Sequence, residues 1–266
     1  MKVLQINTTY NLGSTGRIVA AIDRVLLDAG VESYSAYGYG KLQDAHHYKI
    51  INKVDSYKHN ICSRLTDGQG LFSRAKTEKL INYIDGVNPD VVHLHNLHGN
   101  YLNYEILFDY LRIRDCKVIW TLHDCWPFTG HCAYFDMAGC DKWKSQCRNC
   151  PQVQSYPPSL FIDRSRNNYE RKKRVFLSLG EKLVLVPVSN WLSGLLADSF
   201  LAKTNKTVIH NGINIDSFKV TKRVKDRSYV LGVAASWDKR KGLSDFIKLR
   251  EVLDPVIDIV LVGLSK

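Results

Sequence analysis

The stretch KVLQINTTYNLGSTGRIVAAIDRVLLDAGVESYSAYGY, residues 2–39, decides the fold class. Lys2–Asn7 is a short apolar run of strand length. Thr8–Gly16 is polar and carries two glycines. From Arg17 to Ala29 apolar residues recur at Ile18, Val19, Ile22, Val25, Leu26 and Ala29, the spacing of one helix face, and Gly30 closes the pattern. Glu32–Tyr39 is a second strand. Strand, helix and strand in this order predict the start of a parallel sheet.

The alternation continues outward. Lys41–Gly70 has no clear period. Thr77–Val87 predicts a helix that ends before Asn88-Pro89, Asp90–His95 a strand, Tyr104–Ile113 a helix and Lys117–Leu122 a strand. Further on, Asp163–Leu179 predicts a basic helix, Lys182–Ser189 a strand, Asn190–Ala202 a helix and Thr207–His210 a strand. Tyr229–Ala235, Leu243–Leu253 and Ile257–Val262 make another strand–helix–strand unit. The expected organisation is a parallel-sheet domain over 1–215, a polar and basic linker over 216–228, and the start of a second α/β domain over 229–266. A unit that small buries too little surface to offset its ordering entropy alone, so this second domain reads as incomplete.

Composition excludes several classes. With 45% hydrophobic and 24% charged residues, the 266-residue chain is not of disordered type. No apolar run reaches the roughly 18–20 residues of a membrane span, and Met1–Asn7 has no signal-peptide cleavage pattern. A cytoplasmic protein is expected. The net charge of +11 favours anionic partners. Basic residues cluster at Arg164–Arg174, Lys219–Arg227 and Lys239–Lys241, which read either as solvated faces or as anion-binding surfaces.

From His123 to Pro158 the periodicity stops, and aromatics, prolines and five of the seven cysteines crowd together. An insertion of this length is usually functional or tied by a metal. The cysteines run Cys125-x6-Cys132-x7-Cys140-x6-Cys147-x2-Cys150. The Cys147–Cys150 pair suits tetrahedral zinc, and Cys132 and Cys140 complete four thiolates, with His131 a competing ligand. The same cysteines also read as unmetallated thiols packed in an aromatic loop. A disulfide framework is not expected without a secretion signal.

Three further stretches carry chemistry. Gly13, Ser14, Thr15 and Gly16 lie between a strand and a helix start, where backbone N–H groups suit a phosphate; a plain helix cap by Ser14 or Thr15 is the alternative. His123 and Asp124 follow a parallel strand, at the end where ligands bind in open α/β sheets, with His93, His95 and His98 at the neighbouring strand end. Arg240 and Lys241 lie in WDKRKG, residues 237–242, at a later helix start.

Together these pieces resemble retaining glycosyltransferases of family 4. The motifs are Gly13–Arg17, Thr121–Asp124, Val188–Asn190, Val208–Ile213 and Lys241-Gly242. The run HDCWPFTGHCAYFDMAGCDKWKSQCRNCP, residues 123–151, is more specific and resembles the bacterial surface-polysaccharide, colanic-acid-type branch. The resemblance implies a GT-B fold: a Rossmann-like acceptor-side domain followed by a Rossmann-like donor-binding domain. It implies transfer of a hexosyl group from a nucleotide diphosphate sugar to a saccharide or lipid-linked saccharide acceptor, with retention. His123 and Asp124 would be catalytic, Gly13–Gly16, Arg240 and Lys241 would bind the donor diphosphate, and no cofactor is needed for catalysis. The basic Arg164–Arg174 face would suit peripheral contact with an anionic membrane at its inner face; nucleic acid is not an expected partner.

The sequence departs from that pattern in three places. Ala235-Ser236 stand where the family commonly has Gly-Arg, and Asn214 stands for the Asp of the Asn-Gly-Ile/Val-Asp turn. The paired donor-binding glutamates would fall beyond Lys266. Little transferase activity is therefore expected of the 266 residues by themselves. Three rivals stand beside this expectation: a catalytically incomplete fragment that binds nucleotide or a partner, a zinc-knuckle nucleic-acid-binding protein, and a nucleotide-dependent oxidoreductase. The strand-end residues oppose the second, and the missing GxGxxG opposes the third.

Overall fold

The computed structural model describes residues 1–219 and 228–264, and the chain divides into two compact units, Met1–Gly212 and Ile213–Lys266. In the first unit, seven parallel strands form one sheet: β1 (Lys2–Thr9), β2 (Glu32–Tyr39), β3 (His47–Lys49), β4 (Val91–Leu94), β5 (Lys117–Leu122), β6 (Leu183–Pro187) and β7 (Asn205–Lys206). Their order is β3-β2-β1-β4-β5-β6-β7. The order reverses between β1 and β4, the Rossmann-like switch point where open α/β sheets bind ligands beyond their strand C-termini. The expected α/β class with a parallel Rossmann-like sheet is what forms.

The connecting helices are α1 (Gly13–Asp28), α2 (Lys53–Thr66), α3 (Arg74–Val87), α4 (Tyr104–Ile113), α5 (Ser165–Leu177) and α6 (Asn190–Ala197). The core runs through Leu4, Ile6, Val92, Leu94, Val118, Leu122 and Leu185, all at most 1% exposed. Fully burying a side chain of this size stabilises by roughly 1.5–3 kcal/mol. Around Phe176 of α5 the rings of Tyr104, Phe108, Trp120 and Trp126 pack at centroid distances of 4.8–6.3 Å. That cluster seats α5 and the insertion on the sheet.

Several boundaries differ from the sequence expectation. The helix predicted from Arg17 begins four residues earlier, so Gly13–Gly16 are its first turn rather than a loop. The strand predicted at Thr207–His210 is assigned at Asn205–Lys206, although Thr207 and Ile209 still donate to Leu185 and Pro187. Within Lys41–Gly70 the structure places β3 and α2. Helix α2 has no apolar stripe because its buried residues are Ser56, His59 and Ser63. It starts at Asn52, whose side chain accepts the Asp55 N–H at 2.9 Å.

The second unit holds β8 (Tyr229–Val233), α7 (Leu243–Val252) and β9 (Asp258–Val262), with β8 and β9 paired in parallel. Residues 220–227 of the expected linker lie outside the described residues. Among the described residues, no helix is long and apolar enough to cross a membrane.

Candidate functional site

The loops beyond β1, β4 and β5 are knitted into one edge. Thr8 Oγ1 lies 3.0 Å from the Asn96 carbonyl and 2.6 Å from that of His98. Asn7, buried, accepts the Asn96 N–H at 3.2 Å, and Tyr101 donates to the Asn96 carbonyl at 2.7 Å. Gly99 sits so close that a Cβ there would lie 2.5 Å from Thr8 Cγ2. The chain turns of β1 and β4 are thus held at fixed distance across the switch point.

On this edge the structure brings together the histidines singled out in the sequence. His123 Nε2 lies 3.2 Å from His95 Nδ1, and the His93 and His95 rings pack at 4.2 Å. A nitrogen–nitrogen hydrogen bond needs one bare ring nitrogen, so at least one partner is neutral. Burial pushes His123 down to about 4, with Asp124 opposing and His98 assisting. Burial and then the neighbouring His123 bring His93 down to about 4 as well. Burial holds the His95 imidazole well below its usual range. At neutral pH these rings are hydrogen-bonding imidazoles, not cations. His123 is half-buried, which leaves it reachable from the strand-end side.

Asp124 has a different setting. Its Oδ2 accepts His98 Nε2–H at 2.8 Å, and its Oδ1 accepts the Trp126 N–H at 3.0 Å. Burial works to raise this carboxyl, but the His98 charge and hydrogen bond and the Trp126 N–H outweigh it and hold it below the usual carboxylate range. Both oxygens are engaged by the protein itself.

The N-terminus of α1 begins just after β1 on the same edge. Leu12 is the N-cap residue and makes no side-chain cap, and the first turn carries no acidic residue. Neither Ser14 nor Thr15 is the cap. The first-turn N–H groups and the helix dipole form a positive end suited to anionic oxygens. Gly13 and Ser14 are exposed, Thr15 is half-buried and Gly16 is buried. A Cβ on Gly16 would lie 2.6 Å from Thr9 Oγ1 and 3.2 Å from Asn11 N. Only glycine lets α1 begin this close to the end of β1.

Arg240 and Lys241 belong to the second unit, in the exposed turn between β8 and α7. Asp238 Oδ1 accepts the Lys241 N–H at 2.9 Å, so that backbone donor is spent on the chain's own carboxylate. In the first unit, the basic run at Arg164–Arg174 is not one exposed face. Arg171 and Arg174 both pair with Glu105, at 3.0 and 3.1 Å, and Lys172 is only 2% exposed. Lys172 Nζ donates to the Trp126 and Thr129 carbonyls at 2.8 and 3.0 Å and lies over the Trp126 ring.

A cluster that the sequence did not reveal joins the residue after β1 to α1 and β3. Tyr10 donates to Asp23 Oδ2 at 2.6 Å, and His47 Nε2 lies 3.0 Å from the Tyr10 hydroxyl. The three residues are separated by 13 to 37 positions, so no local pattern signals the group. Of the potential metal ligands, Cys132, Cys140, Cys147 and Cys150 line one small cavity.

The comparisons with known proteins agree with this architecture. The family model for glycosyltransferase family 4 matches residues 17–217. The chain is also similar to WcaC of Escherichia coli (strain K12), a glycosyl transferase assigned by name to colanic acid biosynthesis. The two are 29% identical over 197 residues, which cover 68% of this chain and 47% of that protein. The chain thus spans about half the length of the curated relative it matches.

Proposed function

The chain belongs to glycosyltransferase family 4, and from that premise we propose that the protein transfers a hexosyl group from a nucleotide diphosphate sugar to an acceptor hydroxyl, with retention, in bacterial surface-polysaccharide synthesis. The observation that carries this is the uncapped, acid-free N-terminus of α1 on the same strand-end edge as the neutral His123. An anion-binding helix end and an uncharged hydrogen-bonding ring suit a substrate with a diphosphate and a sugar.

In the reaction, the bond between the anomeric carbon and the diphosphate oxygen breaks, and the acceptor oxygen bonds that carbon and passes its proton to the leaving diphosphate oxygen. The leaving diphosphate gathers negative charge. The backbone N–H groups of Gly13, Ser14 and Thr15 would meet that charge without a metal, with Gly16 allowing the close approach, because fixed donors cost no reorganisation when charge develops. His123 would hydrogen-bond a hydroxyl of the transferred sugar. Asp124 would act as a positioning residue, through His98 and the Trp126 N–H. Within the second unit, Arg240 and Lys241 make an exposed basic turn whose chemistry suits a phosphate. The acceptor would be a saccharide or lipid-linked saccharide, met at the inner face of the cell membrane.

The proposal is tested by incubating the protein, in a form that carries a whole donor-binding domain, with nucleotide diphosphate hexoses and a lipid-diphosphate-linked saccharide, with the product's anomeric configuration read by NMR. Retained configuration, with turnover lost in His123→Ala, is the expected result. An inverted product, or undiminished turnover in His123→Ala, rejects it.

A further inference from the structure

The insertion between β5 and α5 contains a group of donors that glycosyl transfer does not use. All seven cysteines carry free thiols. Cys132, Cys140, Cys147 and Cys150 line one cavity of about 10 Å³, with His131, Thr129, Phe135 and Trp143 among its walls. A space of that size holds about one water-sized sphere and no organic substrate. The Phe135 and Trp143 rings, stacked at 4.8 Å, help to wall it from solvent.

Two backbone donors point at the sulfurs. Gly130 N–H donates to Cys147 Sγ at 3.2 Å, and the Gln152 N–H donates to the Cys150 sulfur. A Cβ on Gly130 would lie 2.0 Å from the Ser165 carbonyl oxygen and 2.8 Å from Cys147 Cβ, so only glycine brings that N–H to the sulfur. Cys132 donates its thiol proton to Cys150, and Cys132 also feels the charges of Cys140 and Cys147. Burial pushes the Lys172 ammonium down to about 7, and Cys147, then Asp67 and Cys132, oppose that shift.

His131 supplies an independent observation. It is 3% exposed, its Nδ1 is held by Asp67, and its Nε2 has no hydrogen-bond partner. A buried ring nitrogen without a partner, on the wall of a thiol-lined cavity, is costly unless something there receives it. Among the described residues, no three such donors are yet gathered as a finished metal cage. Thiols that still carry protons hydrogen-bond one another; releasing those protons to a metal draws the sulfurs together.

We propose that Cys132, Cys140, Cys147 and Cys150 bind one structural zinc ion, with Lys172 and the Gly130 and Gln152 N–H groups offsetting the charge of the thiolates. Each thiol gives its proton to solvent as its sulfur bonds the metal, and no electron is transferred. Four thiolates around a divalent cation leave two excess negative charges, which would favour the charged form of the buried Lys172. His131 donates from Nε2 to a thiolate and is not itself a ligand. The ion would tie the cysteine segments to the buried Phe128, Phe135 and Trp143 rings of the insertion.

The test uses the whole chain purified without added metal. Elemental analysis should give about one zinc per chain, released by a mercurial thiol reagent. Cobalt substitution should give the intense charge-transfer and visible bands of tetrahedral thiolate coordination, a readout that does not depend on a variant's folding. Cys132→Ser and Cys140→Ser should lose the metal, whereas Cys62→Ser and Cys116→Ser keep it. Lys172→Met should weaken zinc binding by about 10–100-fold, as for other groups that support ligands. A folded, metal-free chain whose melting temperature is unmoved by zinc or chelator overturns the proposal. So does loss of zinc in His131→Asn with retention in Cys140→Ser.

Discussion

His98 Nε2 donates to Asp124 Oδ2 at 2.8 Å, and this contact ties the loop after β4 to the loop after β5 with both side chains buried. The pair lies beside His123 but uses neither of its ring nitrogens. It fixes where the β5 loop leaves the sheet.

Breaking that tie should be expensive. Asp124→Ala leaves His98 and the Trp126 N–H without their acceptor, and should destabilise the protein by about 3–5 kcal/mol. His98→Ala should cost a similar amount. Because the two residues share one contact, the double variant should cost clearly less than the sum. Denaturant unfolding of the four proteins measures this; strict additivity would show that the pair is not coupled.

For His123 the expectation is a loss of function without a loss of fold. His123→Ala should lower kcat by about 100-fold, the size of one removed electrostatic contact, with little change in melting temperature. His123→Asn, which keeps a hydrogen-bonding side chain, should recover part of the rate. With His123 down at about 4, it stays neutral above roughly pH 5.5, so the rate profile should show no wild-type break near 6.5 that vanishes in His123→Asn.

Part of the acid sensitivity should be traceable to His59, one of several histidines that burial pushes down. This ring is buried, its Nδ1 meets Ser73 Oγ at 2.7 Å, and burial pushes it down to about 4. The unfolded chain takes up the proton near 6.5 and the folded chain does not until about 4. The contribution of the neutral His59 is therefore fully present above 6.5 and is lost as pH falls toward 4. Between those limits wild type should lose on the order of 3 kcal/mol that His59→Gln does not lose. Unfolding free energies measured at pH 7, 5 and 4 test the slope; parallel curves would reject it.

Two glycines should respond oppositely to alanine. Gly16→Ala forces a Cβ to within 2.6 Å of Thr9 Oγ1 and should destabilise by about 1–3 kcal/mol. Gly86, inside α3, has open space around its added Cβ, and Gly86→Ala should stabilise by about 0.5–1 kcal/mol. Thermal melts of the two variants decide the matter. Equal and small shifts would mean that α1 can start without its close contact to β1.

The sequence by itself determined the parallel α/β class, the family, and the strand ends that carry His93, His95 and His123. These were legible because a strand buried on both faces needs a continuous apolar run, and a covering helix needs a 3.6-residue stripe. Helix α2 escaped because its inward face is Ser56, His59 and Ser63, which leave no stripe. The early start of α1 escaped because a close approach of Gly16 to Thr9 is a matter of distance, not of pattern. Only the tertiary structure decided that Lys172, in a run of basic residues, turns inward to carbonyls 43 and 46 positions away. It also decided that Asp124 serves His98 rather than His123. Partners of that kind are chosen by how elements stack and by the cost of an unsatisfied buried charge, and neither is written in the local order of residues.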